Sequence, residues 1–95
     1  MAILKIFSVL DTKADAFMPI FCLSTTGQAV RAFADHVNDP QSQVSRHPGD
    51  YRLAQLGTFD DARGTVEPLA LIEFLGYGTD HVEREAAIKS LGGSR

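Results

Sequence analysis

Apolar residues recur with a helical period in one stretch of the chain, around residues 27–38. Their spacing of i, i+4, i+7, i+8 and i+11 forms a stripe of the kind that faces a core. The stripe consists of Thr26, Val30, Phe33, Ala34 and Val37. Thr25 and Thr26 are residue types that cap a helix start, and Asn38-Asp39-Pro40 is a stop because proline cannot extend a helix. The pattern predicts a helix over Gly27–Asn38.

Four further segments have the β-branched and aromatic content of strands. They are Ile3–Leu10, Phe17–Leu23, Tyr51–Phe59 and Thr65–Leu75. The first is apolar on both faces, which fits a central strand or an edge strand covered by a partner. Pro19 lacks an amide hydrogen and places the second strand at a sheet edge or at a bulge. Asp60 and Gly64 are the residue types expected in a hairpin turn between the last two strands.

The remaining segments are a polar connection and an amphipathic end. Asp39–Asp50 contains two prolines and is predicted to be a mobile loop. Asp80 and Glu83 have the spacing of a capping box, which predicts a helix over 79–91. The apolar stripe of that helix is thin, so we expect it to be loosely attached or to lie at an interface.

Together these elements predict one α+β domain over residues 1–95, with its core in 3–75. The expected order is β-β-α-β-β-α. Short connections favour pairing between consecutive strands, so about four strands should form a small antiparallel sheet with the central helix packed on one face.

Composition narrows the possible partners. The net charge of -3 argues against coating DNA by bulk positive charge, but leaves open a local basic patch or a protein partner. The single cysteine, Cys22, lies in an apolar run and is expected to be a small buried side chain. No run approaches the roughly 20 apolar residues of a membrane span, and the start of the chain lacks a signal-peptide pattern. We expect a cytosolic protein.

Motifs for catalysis, cofactors and metals are incomplete. Gly76-x-Gly78 lacks the third glycine of a nucleotide-binding turn. The three histidines, His36, His47 and His81, do not have the spacing of metal ligands,. A nucleophile elbow is also missing. The expectation is a protein that is not an enzyme, with no catalytic residues, no cofactor and no metal site.

Cations interleaved with aromatic residues give the clearest indication of a ligand. Single-stranded DNA is bound by Lys and Arg beside rings on which bases stack. The candidate nucleic-acid-binding residues are Lys5, Lys13, Arg31, Arg52 and Tyr51. The sheet face away from the helix could present some of them together with rings such as Phe17. The alternative is that the rings belong to the core and the cations to an ordinary solvated surface.

Three blocks of sequence, 6–17, 27–39 and 47–64, have the order and spacing of motifs in one known protein family. Through them the chain resembles the small nonstructural protein of gokushovirus-type microviruses, which are single-stranded DNA phages. The resemblance covers about residues 3 to 68. Leu10 stands where an aromatic residue is expected and Gly49 where an acidic one is expected, and the tail from Leu69 has no counterpart.

The resemblance implies an early, non-virion bacteriophage protein in the host bacterial cytoplasm. Such a protein acts in genome replication and packaging, is described as DNA-binding, and is not known as an enzyme. Besides Lys13, Arg31 and Tyr51, the polar positions of the recurring motif are Asp11, Asn38, His47 and Asp50.

Two functions remain open at this point. The first is binding of single-stranded DNA, which would favour synthesis of the single-stranded genome. The second is a protein-binding adaptor that sequesters the replication initiator or engages the assembling capsid, which fits the acidic charge better. In either case we expect a homodimer, because the apolar first strand and the thin final helix leave apolar surface that a partner would cover.

Overall fold

Residues 2–82, which the computed structural model describes, form one five-stranded antiparallel sheet with a helix on one face. The elements in chain order are β1 (Ile3–Asp11), β2 (Ala16–Phe17), β3 (Phe21–Leu23), α1 (Thr26–Val37), α2 (Gln43–Arg46), β4 (Tyr51–Asp60) and β5 (Thr65–Tyr77), with single 3-10 turns at Pro48–Asp50 and Gly78–His81. The strand order is β2-β1-β4-β5, and β3 also pairs with β1. The α+β class and the antiparallel pairing are confirmed, whereas the predicted order with about four strands is wrong.

The predicted strand Phe17–Leu23 is divided into β2 and β3. Both pair with β1, β2 opposite Leu10 and Asp11 and β3 opposite Lys5 to Phe7. Both segments run along the same edge of β1, and Pro19 between them interrupts the ladder because it has no amide hydrogen, as its predicted place at a sheet edge or a bulge requires,. The adjacent Met18 is held to β1 instead, because its amide donates to the Val9 carbonyl at 2.8 Å and its carbonyl accepts from the Ser8 hydroxyl at 2.6 Å. Cys22 in β3 is exposed, so the expectation of burial is wrong.

Helix α1 begins at a reciprocal capping box. The Gln28 amide donates to Thr25 Oγ1 at 3.1 Å, and the Thr25 amide donates to Gln28 Oε1 at 3.2 Å. These two bonds satisfy amides that have no partner inside a helix. The buried face consists of Ala29, Phe33 and Val37. The predicted helix is therefore confirmed within one residue at each end. Of its predicted stripe, Phe33 and Val37 are buried and the other three residues are half-buried, while Ala29, which the stripe did not include, is buried.

The hydrophobic core lies between α1 and the central strands. The α1 face packs on side chains from β1 and β4, which are Phe7, Val9, Tyr51 and Leu53. Burying large apolar side chains stabilises a domain by about 1.5–3 kcal/mol each. This layer accordingly fixes which face of the sheet is covered and which is open.

The connection between α1 and β4 contains α2 and a 3-10 turn where a mobile loop was predicted. The Ser42 hydroxyl caps α2 by accepting from the Ser45 amide at 3.1 Å, and Val44 is fully buried in the core. The Asp50 carbonyl accepts from the Thr12 amide and from the Thr12 hydroxyl, both at 2.8 Å. These contacts attach the connection to the turn that follows β1.

After β5, which extends past the predicted end at Leu75, the chain enters the 3-10 turn Gly78–His81. Asp80 lies inside this turn, where its carboxylate accepts from the Tyr77 amide at 2.9 Å. It is therefore not the cap of a helix, as the Asp80–Glu83 spacing predicted. The rest of the predicted helix 79–91, from residue 83 onward, lies outside the described residues.

Candidate nucleic-acid interface

The face of the sheet away from α1 carries a row of side chains that crosses four strands. Phe7, Val9, Tyr51 and Leu53 contact the helix, so the residues that alternate with them point to the other face. Leu10 lies opposite Phe17 of β2 and Arg52 of β4, and Arg52 lies opposite Tyr77 of β5. Opposed residues of an antiparallel pair share a face. We call Phe17, Leu10, Arg52 and Tyr77 the cross-strand row.

On this face, the Arg52 side chain packs against two aromatic rings of β5. The Arg52 guanidinium carbon lies 3.7 Å from the centroid of the Phe74 ring and 4.8 Å from that of Tyr77. Both distances are within the range of a cation–π interaction. The residues Phe74 and Tyr77 nevertheless remain 38 % and 40 % exposed. We call Arg52, Phe74 and Tyr77 the Arg52 cluster.

The Arg52 cluster is held by contacts with rings. Arg52 Nε is buried and has no hydrogen-bond partner among the described residues. Next to Arg52 on the same face, Ala54 lies between Ser8 and Phe74, and both Ala54 and Ser8 are fully buried. Side chains this small need larger neighbours to cover them, and Arg52 and Phe74 are the adjacent large side chains on this face. The guanidinium is therefore positioned by packing, while the rings keep a surface toward solvent.

Lys13 lies at the same end of the sheet as the cross-strand row. It belongs to the turn between β1 and β2, directly after Leu10 and Asp11. The Asp11 carboxylate shapes this turn by accepting from the amides of Lys13 at 3.0 Å and Ala14 at 3.1 Å. The Lys13 side chain is exposed, and it supplies a second cation close to the row.

Lys5 and Arg31 lie on the side of the sheet that α1 covers. The Lys5 ammonium donates to the Thr26 hydroxyl at 3.0 Å, near the start of α1. Arg31 is exposed on α1 itself. The five predicted nucleic-acid-binding residues are thus not brought together in one surface. Arg52 and Lys13 share one end of the open face, and Lys5 and Arg31 lie on the other side.

Tyr51 is part of the core and is only 4 % exposed. Burial raises the pKa of its phenol above the ordinary value, the nearby charges of Asp11 and Asp50 raise the pKa further, and a hydrogen bond with the Gln43 side chain opposes this effect. A ring in this position cannot stack on a base. The sequence predicted a stacking role for Tyr51, and the structure presents Phe74 and Tyr77 to solvent instead.

The polar motif positions hold backbone segments together. Asp11 shapes the turn after β1, and Asp50 accepts from Thr12 through its carbonyl. The Asn38 side-chain amide donates to the carbonyls of Ala34 at 2.8 Å and His81 at 2.9 Å, which ties the end of α1 to the last turn. The His47 side chain is exposed, and its carbonyl accepts from the Asp50 amide at 2.9 Å. These contacts position the ends of the strands that carry the cross-strand row.

A mostly apolar groove of about 270 Å³ lies between α1 and the β2–β3 connection, away from the Arg52 cluster. Met18, Phe21, Phe33 and His36 contribute to its walls. Among residues 2–82, no three His, Cys, Asp or Glu side chains are grouped as a metal ion would require. Within the same range, the helices are too short or too polar to cross a membrane.

Comparison with known proteins places the chain in a family. The family model described as phage ORF5 protein matches residues 4–81. The match reaches beyond the resemblance seen in the sequence, which ended at about residue 68, and it includes β5 with Phe74 and Tyr77. No curated protein and no solved structure matches significantly. Because the family model covers far more than half of its length, the chain belongs to the phage ORF5 protein family.

Proposed function

We propose that this phage protein is a non-enzymatic accessory protein that binds single-stranded DNA on the open face of its sheet. The resemblance to gokushovirus-type proteins supports a role in genome replication and packaging in the host cytoplasm, where such binding would favour synthesis of the single-stranded genome. The observation that carries the proposal is the Arg52 cluster. It combines a fixed cation with two rings that remain partly exposed.

The chemistry of the cross-strand row suits a single strand of nucleic acid. Exposed rings stack on bases of any sequence, and Arg contributes both stacking and an attraction for phosphate. Phe17, also 40 % exposed, lies three strand spacings from Tyr77, which is about 14 Å across the sheet. The row therefore offers a stacking surface on each side of Arg52. Lys13 at the adjoining turn would pair with the DNA backbone.

The adaptor function has a specific observation in its favour as well. The apolar groove beside α1 and the net charge of -3 suit a basic or apolar segment of another phage protein better than they suit DNA. A contact in that groove would leave the Arg52 cluster untouched. Variants of the cluster therefore separate the two functions.

The test is a fluorescence-anisotropy titration of labelled oligothymidylate at roughly 50 mM salt, where electrostatic binding is strong. We expect Arg52→Ala to weaken binding by about 5- to 150-fold, the range that corresponds to loss of about 1–3 kcal/mol of stacking per base. Arg52→Lys keeps the charge but loses the planar group, and should recover only part of the affinity.

Arg63→Ala is the matched control, because it removes the same charge from an exposed position in the β4–β5 turn. It should change the affinity by less than Arg52→Ala does. Equal losses in the two variants would indicate bulk charge and contradict a site at Arg52. Wild-type protein that binds no oligothymidylate at roughly 50 mM salt would exclude the DNA function and favour the adaptor.

A further inference from the structure

Among residues 2–82, no strand pairs with the outer edge of β5. It is the last strand in the order β2-β1-β4-β5, and among the described residues it pairs with β4 alone. At 13 residues it is also the longest strand. A long edge strand offers a row of backbone donors and acceptors to another strand, and proteins usually protect such an edge with charges or proline. In β5 these residues are Glu67, Pro68 and Glu73, with an unprotected stretch between them.

That unprotected stretch is apolar and interrupts the regular pairing of β5 with β4. Gln55 pairs with Glu73 and Gly57 pairs with Pro68, so the single residue Leu56 lies opposite the four residues 69–72. Their sequence is Leu-Ala-Leu-Ile. Leu71 is 85 % exposed, Val66 is 62 % exposed and Ile72 is 44 % exposed. Leu71 and Ile72 therefore leave apolar surface exposed at this edge, and exposed apolar surface often marks a contact with another molecule.

We propose that the β5 edge pairs with the β5 edge of a second copy of this chain, antiparallel and about a two-fold axis. Opposed residues share a face, and a two-fold axis perpendicular to the sheet keeps each side chain on its own face, so the axis must pass through a residue and not between two neighbours. Leu71, in the middle of the apolar residues 70–72, is the residue that fits. Pairing about Leu71 puts Leu71 opposite Leu71 of the copy and Ala70 opposite Ile72, so residues 70–72 meet apolar residues and the two open edges pair with each other. A two-fold contact of this kind is closed, so it ends at a dimer.

The two glutamates agree with this register. With the centre at Leu71, Glu67 faces Leu75 of the copy and Glu73 faces Leu69. A shift of the centre onto Ala70 would set Glu67 against Glu73 of the copy, and like charges directly opposite each other are destabilising. A basic segment of another protein that paired with residues 69–72 would find no acidic side chain opposite it there. Self-pairing about Leu71 therefore joins the apolar residues and does not set the glutamates of the two copies directly opposite each other.

Pairing through the edge would leave the open face of each copy exposed. A two-fold axis between antiparallel edge strands runs perpendicular to the sheet, so both Arg52 clusters would lie on the same side of one continuous sheet. Phe74 and its counterpart would be separated by six residue steps, on the order of 20 Å along the strand direction. The contact depends on the β5 edge alone and would form whether or not the Arg52 cluster binds DNA.

Sedimentation of the full chain at tens of micromolar tests the contact. We expect the mass of two chains for the wild type and of one chain for Leu71→Glu, which places a charge at the centre of the pairing. Leu71 is so exposed that the substitution leaves the core intact, and circular dichroism checks this. Ile20→Glu is the matched control, because Ile20 is an exposed apolar residue near the opposite edge of the sheet, and it should remain a dimer.

A wild-type mass of one chain would overturn the proposal, and so would a dimer that survives Leu71→Glu. Hydrogen exchange locates the contact: amides on the outer edge of β5 should be protected in the wild type and lose at least tenfold of that protection in Leu71→Glu. Unprotected edge amides in a wild-type dimer would also refute the edge contact. Arg52→Ala should keep the mass of two chains, so failure of the DNA site and failure of the dimer are distinguishable.

Discussion

Tyr51→Phe should reveal the buried phenol through the pH dependence of stability. The substitution keeps the ring in the core and removes only the hydroxyl, which interacts with the Gln43 side chain. At pH 7 it should lower the free energy of unfolding by about 1 kcal/mol, the usual net value of one hydrogen bond. This loss does not depend on ionisation, because the phenol is protonated at pH 7 in both the folded and the unfolded states.

The difference in unfolding free energy between the wild type and Tyr51→Phe changes at alkaline pH. The reason is that burial, Asp11 and Asp50 raise the pKa of Tyr51 in the folded protein. In the unfolded chain a tyrosine ionises near pH 10. A folded-state pKa above that value contributes stability below about pH 10, and that stability is lost as the pH rises toward the folded pKa. Between pH 7 and 11 the wild type should lose up to about 1.4 kcal/mol that Tyr51→Phe does not lose. The stability gap between the two proteins should therefore narrow or close.

The assay is urea unfolding followed by circular dichroism at pH values from 7 to about 11, with the difference between wild type and variant taken at each pH. Other groups titrate in both proteins and cancel in that difference. Tyr77→Phe is the matched control, since it removes a phenol whose ring is exposed to solvent. A gap between wild type and Tyr51→Phe that stays constant from pH 7 to 11 would refute the reasoning.

Two further predictions concern the backbone and can be checked by the same urea unfolding. Gly57→Ala should destabilise the fold by about 1–3 kcal/mol, because a β-carbon there would collide with the Glu67 carbonyl of β5. Gly27→Ala is its control, since the nearest atom to the new carbon is Thr25 Oγ1 at 3.9 Å, and alanine in a helix should be neutral or stabilising. Thr25→Ala should lower the free energy of unfolding by about 1 kcal/mol through loss of the α1 cap. Thr25→Ser keeps a hydroxyl at the cap and should retain most of that stability.

The helix and the hairpin turn could be predicted from the sequence because their determinants are local. The capping residues, the apolar stripe and the proline that follows determine α1 within a few residues. The turn between β4 and β5 likewise has Asp60 accepting from the amides of Ala62 and Arg63, and Gly64 in the left-handed region with φ 69°. α2 was missed because a four-residue helix has no periodicity to detect, and it depends on burial of Val44.

The Arg52 cluster could not be predicted because it depends on register. An unbroken hairpin that starts from the Asp60–Thr65 pair would place Glu73 opposite Arg52, in a salt bridge. The irregularities in the pairing of β4 with β5 shift the register by four residues and bring Tyr77 there instead. A β-bulge has no strong signal in one sequence. Arg52 was therefore identified as a candidate, whereas the rings that hold it were not.

The unpaired residues 69–72 of β5 determine where the chain can accept an insertion. Residues 69–72 act as a spacer between two lengths of ladder, one from Asp60–Thr65 to Gly57–Pro68 and the other from Gln55–Glu73 to Arg52–Tyr77. The pairing of the second length does not follow from counting along the first. Residues added in pairs at the tip of the hairpin would lengthen the first ladder and leave Tyr77 beside Arg52. The tip is thus a position for fusing a label or a second domain without altering the open face.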